Sequence, residues 1–367
     1  MTAEAVAGTD LEPESLHEAR SRSWRTQWAQ PDWWQLGWSA GVLLASLIVF
    51  SIITALLGSN PFSIYSTMLH AAVLDHGTLS QTLLRSIPIA LAGLAVAVPA
   101  RAGLVNVGGE GQLIMGAVAA TGVGLAFGSA VPGPVSWLAM AIAGAVAGAL
   151  WAGIAGGLRA VLSANESVTT LLLNFIANDV MLYLIYQPWK DPNGSGQPQS
   201  KPLSHDEVLP KIFGSDLNLG LILAAVVALG IWLTLKRSGW GFALRVAGGN
   251  PIAAIRAGLP VKRLIVSSML VGGALAGLGG ALNFAGVETQ LRPGITASFG
   301  YVAFLASYFA RHSPLRVVFA SVVFSAIALA GNGLQVKDGL DGNVVDVLLA
   351  LIVLGPLVLG VRKGRRA

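Results

Sequence analysis

Several runs of about 20 apolar residues recur along this chain, each long enough as a helix to cross a bilayer core of about 30 Å. That length and repetition select one class: an all-α, polytopic transmembrane helical bundle. Only 11% of the residues are charged, against about 25% in an average soluble domain. The 45 glycines suit helices that pack backbone to backbone in lipid. GxxxG spacings at Gly144/Gly148, Gly153/Gly157 and Gly273/Gly277 mark helix–helix faces or chance repeats in a glycine-rich chain. A sequence pI near 9.7 raises nucleic-acid binding, but the positive charge is spread over short loops. Membrane orientation accounts for it better, and no nucleic-acid partner is expected. With no cysteine, disulfide and thiol chemistry are excluded.

The apolar pattern places about ten spans (eight to ten), near 37–58, 82–100, 102–127, 134–157, 167–187, 217–235, 264–286, 298–310, 315–331 and 343–361. The eighth is short and reads as re-entrant or joined to the ninth. Both termini are then cytoplasmic. The basic residues agree: Arg20, Arg22, Arg25, Arg101, Arg159, the six of the 236–263 loop, Arg311, Arg316, Arg362, Lys363, Arg365 and Arg366 fall inside. Arg85, Lys190, Lys201, Lys211, Arg292 and Lys337 do not, a bias of the kind that sets orientation. Residues 1–35 form a polar cytoplasmic tail, residues 36–362 the transmembrane domain, and 363–367 a basic tail. Trp33, Trp34 and Trp38 fit an interfacial belt at the first span. An outer loop over 188–216, rich in Pro, Gly and Ser, reads as ordered turns.

The 236–263 loop carries six basic residues and no acid. Its middle reads as a short helix, with Asn250 as cap, Pro251 at the first position, and Gly258 as its end. A capped helix held out on the cytoplasmic side reads as a docking element through Asn250, Pro251, Ala253, Ala254, Arg256 and Gly258. Anionic lipid explains the basic ends but not the helix. Acid, His and Cys are absent there, so catalysis is set aside.

Two polar clusters interrupt the spans. Asn106, Glu110 and Gln112 lie in a segment whose Gly108, Gly109 and Gly111 weaken the helix. An acid within a span costs at least ~2.5 kcal/mol unless it is paired or meets water. It therefore either shapes a pathway or pairs with Arg85 or Arg101 to hold helices together. The second cluster follows Asn165-Glu166-Ser167, a helix start with Ser167 as cap. Thr170, Asn174 and Asn178 are four apart and share a face, and Asp179 follows. That stripe either hydrogen-bonds between helices or lines an aqueous path, and the clustering of two amides with an acid favours the path. No metal spacing appears among the five histidines. Asp338, Asp341 and Asp346 form a solvated loop rather than a cation site. No Walker A pattern is present, so the chain has no evident ATP site of its own.

In this order the motifs resemble the membrane subunits of bacterial ATP-binding-cassette importers, within the simple-sugar, nucleoside and branched-chain amino-acid permease group. The Ala253-Ala254-x-x-x-Gly258 spacing is similar to the importer coupling loop, with Ile252 where the short motif has Glu. The runs RAGLVNVGGEGQLIMGA (101–117), NESVTTLLLNFIA (165–177) and GSGQPQSKPL (194–203) look like nucleoside-permease versions. GYVAFLASYFARHSPLRVV (300–318) matches loosely, with Ala303 where Gly is common. The resemblance implies a transport subunit rather than an enzyme, with no catalytic or metal-binding residue, in a bacterial cytoplasmic membrane. It implies a second permease subunit (identical or a paralogue), an ATPase subunit carrying ATP and Mg, and an extracytoplasmic substrate-binding protein. Its expected cargo is a nucleoside. A simple sugar on the same machine is the first alternative. An ion-coupled secondary transporter, using Glu110 and Asp179 as coupling acids, comes from a different class.

Overall fold

The computed structural model describes residues 33–194, 196–212, 214–337 and 344–352. Most of the expected polar tail, the basic tail, Asp338 and Asp341 lie outside them. The described helices are α1 (Trp33–Leu56), α2 (Pro61–Leu69), α3 (Thr78–Ala100), α4 (Gly109–Phe127), α5 (Gly133–Leu162) and α6 (Glu166–Tyr186). After the long loop come α7 (Leu219–Arg237), α8 (Gly239–Gly249), α9 (Pro251–Arg256), α10 (Val261–Asn283), α11 (Phe299–Phe309) and α12 (Pro314–Lys337). Residues 344–352 are also helical.

Seven of these helices are long and apolar enough to cross a membrane, or up to eight with the bent pair Leu44–Leu56 and Pro61–Leu74, which turns by 115°. Ten full spans are therefore not what the described residues hold. The expected eighth is the 11-residue α11, roughly 16 Å long and about half a bilayer core. Beyond residue 352 the expected last span is undescribed. The bend after α1 has a local cause: Gly58 takes φ +82°, and Asn60 caps Phe62 N with Pro61 at the first helical position.

The centre of the bundle is a backbone-to-backbone crossing of α4, α5 and α10. A Cβ at Gly144 would stand 2.6 Å from Ala281 Cβ and 2.9 Å from Gly277 O. One at Gly148 would stand 2.7 Å from Gly277 Cα, and one at Gly116 would overlap the Gly277 backbone. Two of the three GxxxG spacings are thus contact faces. In the third, Gly153 meets Leu270 but Gly157 meets nothing within 4 Å.

One end of the bundle gathers the basic loop, the α3–α4 corner and the α11–α12 turn. A Cβ at Gly248 of α8 would fall 2.9 Å from Ala102 C and Gly103 N. Arg101 Nη2 donates to His312 O at 3.1 Å, and its Nε is buried without a hydrogen-bond partner. Burial, then the charge of Arg101, holds the His312 imidazole below its ordinary range. At the opposite end Lys337 Nζ meets Asp75 Oδ2 at 3.1 Å, with His70 on the other carboxylate oxygen at 3.0 Å. The His70 and Lys337 hydrogen bonds lower the Asp75 carboxyl pKa. Along the 187–218 connection, Ser200 N, Leu203 N and Leu209 N donate to Leu291 O, Thr289 O and Ala285 O. These bonds pin the described part of the connection across the bundle.

Candidate functional site

The polar clusters meet where the chain between α3 and α4 is not helical. Residues 101–108 leave the α3 end and re-enter as α4 only at Gly109, so the helix break expected around Gly108 is present. Backbone freed from a helix inside the bilayer must find protein partners or water. Here α6 supplies them from one face. Glu166 Oε1 accepts from Val105 N at 3.3 Å, Thr170 Oγ1 from Val107 N at 3.2 Å, and Asn174 Oδ1 from Gly111 N at 2.8 Å. Asn174 Nδ2 donates to Val107 O at 3.0 Å. The spacing of four puts these three side chains one above another, so α6 acts as a clasp along an irregular strap.

Asn106 and Gln112 close the strap from within. Their amides exchange two hydrogen bonds, at 3.1 and 3.0 Å, and Asn106 also donates to Ala95 O and accepts from Gly108 N. Both are buried. Asn178 is half-buried and Asp179 exposed; neither side chain has a hydrogen bond to a described residue. The structure therefore brings Asn106, Gln112, Thr170 and Asn174 together along the strap, while Glu110 bonds elsewhere and Asn178 and Asp179 stand outside.

Glu110 pairs with neither Arg85 nor Arg101. Its carboxylate accepts from Thr296 Oγ1 and, at 2.7 Å, from Gly300 N. Gly300 is in the first turn of α11, whose cap is Ser298 at φ +61°. Glu110 itself is in the first turn of α4, so two helix N-termini converge on one carboxylate, the charge sign that their dipoles favour. A Cβ at Gly300 would overlap Glu110 backbone, so glycine is what permits the approach. Tyr301 follows, its hydroxyl 3.5 Å from Asn174 Nδ2.

The helix start at α6 differs from expectation. Asn165, not Ser167, caps it, accepting from Ser167 N and Val168 N. Asparagine caps as well as serine, and the earlier residue sets the boundary. Thr296 and Gly300 were missed because nothing local ties them to Glu110. Glu207 was missed too: it is buried under the long connection, accepting from Ser136 Oγ at 3.1 Å and from Ser204 N and Oγ at 3.0 and 2.6 Å. Its local signal is the Ser204-x-x-Glu207 capping box.

Asn174→Ala should destabilise the fold by about 2–4 kcal/mol, because Gly111 N and Val107 O each lose a buried partner. Thermal unfolding of the purified chain measures it. A change no larger than that of Asp179→Asn would sink the clasp.

At the basic end, the expected short capped helix is present. Asn250 accepts from Ala253 N at 3.0 Å, Pro251 opens α9, and Gly258 takes φ +79°. Ala254 is buried, while Ile252 and Ile255 are 65% and 62% exposed.

A family model described as branched-chain amino acid transport system / permease component matches residues 78–359. The chain is 32% identical to a glucose ABC transporter permease of Haloferax volcanii, over 88% of this chain and 87% of that one. It is 30% identical to a guanosine ABC transporter permease of Bacillus subtilis, over 87% and 89%. With a nucleoside ABC transporter permease of Lactococcus lactis it shares 28%, over 85% and 86%.

Proposed function

Since this chain belongs to the ABC-importer permease family of branched-chain amino acid transport permease components, and is a multi-pass transport subunit rather than an enzyme, we propose that it carries nucleosides across the cell membrane. Membership implies work with an ATPase subunit and a substrate-binding protein. The ATPase subunit grips α9 through Asn250, Pro251, Ala253, Ala254, Arg256 and Gly258. The open Ile252 and Ile255 face is the observation that supports this seat.

The pathway runs between this subunit and a second permease, beside the Asn106–Glu110–Gln112 strap and its Thr170–Asn174 clasp. Asn178 and Asp179 stand on the same helix, free to meet solute. The recurrence of guanosine and nucleoside permeases among the relatives is what favours nucleosides. The glucose permease relative favours a second reading, a sugar on the same machine.

In proteoliposomes carrying the ATPase subunit and binding protein, nucleoside uptake should require ATP and should stop when residues 251–258 become a Gly/Ser linker. Uptake driven by an ion gradient alone would favour a secondary transporter. Uptake of glucose but not nucleoside would reassign the cargo.

A further inference from the structure

Helix α11 has two unlike faces. Gly300, Ala303, Ala306 and Ser307 are buried, and the helix packs against α3, α4 and α12. The other side carries Tyr301, Phe304 and Tyr308, which fall within an arc of about 60° at 100° per residue. Tyr301 is 38% exposed, and Phe304 and Tyr308 are half-buried. Phe304 and Tyr308 lie ring against ring at 4.6 Å, and Tyr308 meets His312 edge-on at 4.6 Å. Tyr301, one turn above, has no ring partner among the described residues. It is the open rung of an aromatic ladder.

This ladder does not suit lipid. Counting the helix rise from Ala310, Tyr301 stands roughly 14 Å into the bundle, where a phenol hydroxyl needs a polar neighbour. Its hydroxyl reaches Asn174, and the Tyr308 hydroxyl has no hydrogen-bond partner among the described residues. The irregular chain just before α11 needs protein or water beside it. A row of aromatic rings with one free hydroxyl, headed by an amide, suits a planar solute that carries polar edges.

We infer that Tyr301, Phe304 and Tyr308 form the substrate-reading strip of the pathway, where Tyr301 stacks on the base of a passing nucleoside. Such stacking is tolerant of base identity because every base has a π-face. It gives no advantage to a sugar without a base. The inference rests on the nucleoside reading, and its test separates the two.

The chain contains no cysteine, so in a single-cysteine variant any label on this chain reports the introduced site. In membranes holding the assembled importer, Tyr301→Cys, Phe304→Cys and Tyr308→Cys should each react with a charged, water-soluble maleimide. Inosine should slow the reaction at Phe304→Cys by about threefold or more, because a base stacked on the intact Tyr301 ring one turn away would cover it. Ribose and glucose should not. Phe319→Cys, on the exposed face of α12, should stay unreactive. In uptake, Tyr301→Phe should keep its KM for inosine within about threefold, while Tyr301→Leu should raise it about tenfold.

Lack of reaction at Tyr301→Cys and Phe304→Cys would overturn the strip. So would equal protection by ribose, or an unchanged KM in Tyr301→Leu while inosine is still carried. If the unsubstituted importer carries glucose and not inosine, the cargo reading has failed instead, and base stacking falls with it.

Discussion

Glu110→Ala is expected to cut uptake about tenfold or more and to lower the unfolding temperature, because two buried donors lose their acceptor at about 1–3 kcal/mol each. Those donors are Thr296 Oγ1 and Gly300 N. The loss falls at the junction of α4 and α11, so the start of α11 loosens as well as the fold. Glu110→Gln should be intermediate. One amide oxygen can still accept from Gly300 N, and the Thr296 hydroxyl can turn to accept from the new NH₂ group. What Gln lacks is the second acceptor oxygen where two helix N-termini meet. Asp216→Asn is the control. It breaks an exposed pair with Lys211, of a kind that contributes little. Uptake and thermal unfolding on the three variants decide the matter. If Glu110→Ala behaves like Asp216→Asn, the carboxylate has no special role.

Gly277→Leu should yield no folded protein, and Gly277→Ala should lower the unfolding midpoint by about 5–10 °C. A Cβ there stands 2.9 Å from Gly148 Cα and N and closer still to Gly144 O. Those are backbone atoms of α5, which cannot swing aside as a side chain can. Overpacking of about 2–3 kcal/mol, at a few degrees per kcal/mol, gives that range. The contrast is Gly157→Ala, four residues beyond Gly153 in the same helix. With nothing within 4 Å of its Cβ, it should be neutral or gain up to about 1 kcal/mol in helix propensity. Size-exclusion profiles and thermal unfolding of the two alanine variants test this pair. A tolerated Gly277→Leu would mean that α5 and α10 do not cross as described.

Local chemistry was readable wherever a few neighbouring residues decide the outcome. Asn250, Pro251 and Gly258 carry the start and stop of α9 within nine positions. The glycines around Glu110 announce a weakened helix, and residues four apart on α6 announce a shared face. What that face does was not readable. Thr170 and Asn174 satisfy backbone 63 to 67 residues away, and a periodic pattern says only that a face is polar. The partner of Glu110 was further still, 186 and 190 residues on. Arginine was the natural guess for a buried carboxylate, yet a helix N-terminus offers donors with no residue type to betray them. The α1–α2 bend was legible in Gly58-Ser59-Asn60-Pro61 as turn chemistry. The helix after it went unread, because the expected spans stop at residue 58 and resume at 82. At α11 length was informative: the apolar run is too short for a full span, and the helix is 11 residues long.

The strap from Gly103 to Glu110 has a thermodynamic consequence. Gly248 of α8, in the basic loop, rests against its first residue, and the carboxylate that receives α11 is its last. A partner that docked on the loop and moved α8 would pull toward α11 through this eight-residue strap, in which α6 holds Val105 and Val107. Linkage runs both ways. If docking shifts the affinity of the α11 strip for its solute, then solute on the strip must shift the affinity of the docked partner by the same factor. A loaded and an empty permease are then two different receptors for the subunit that drives them.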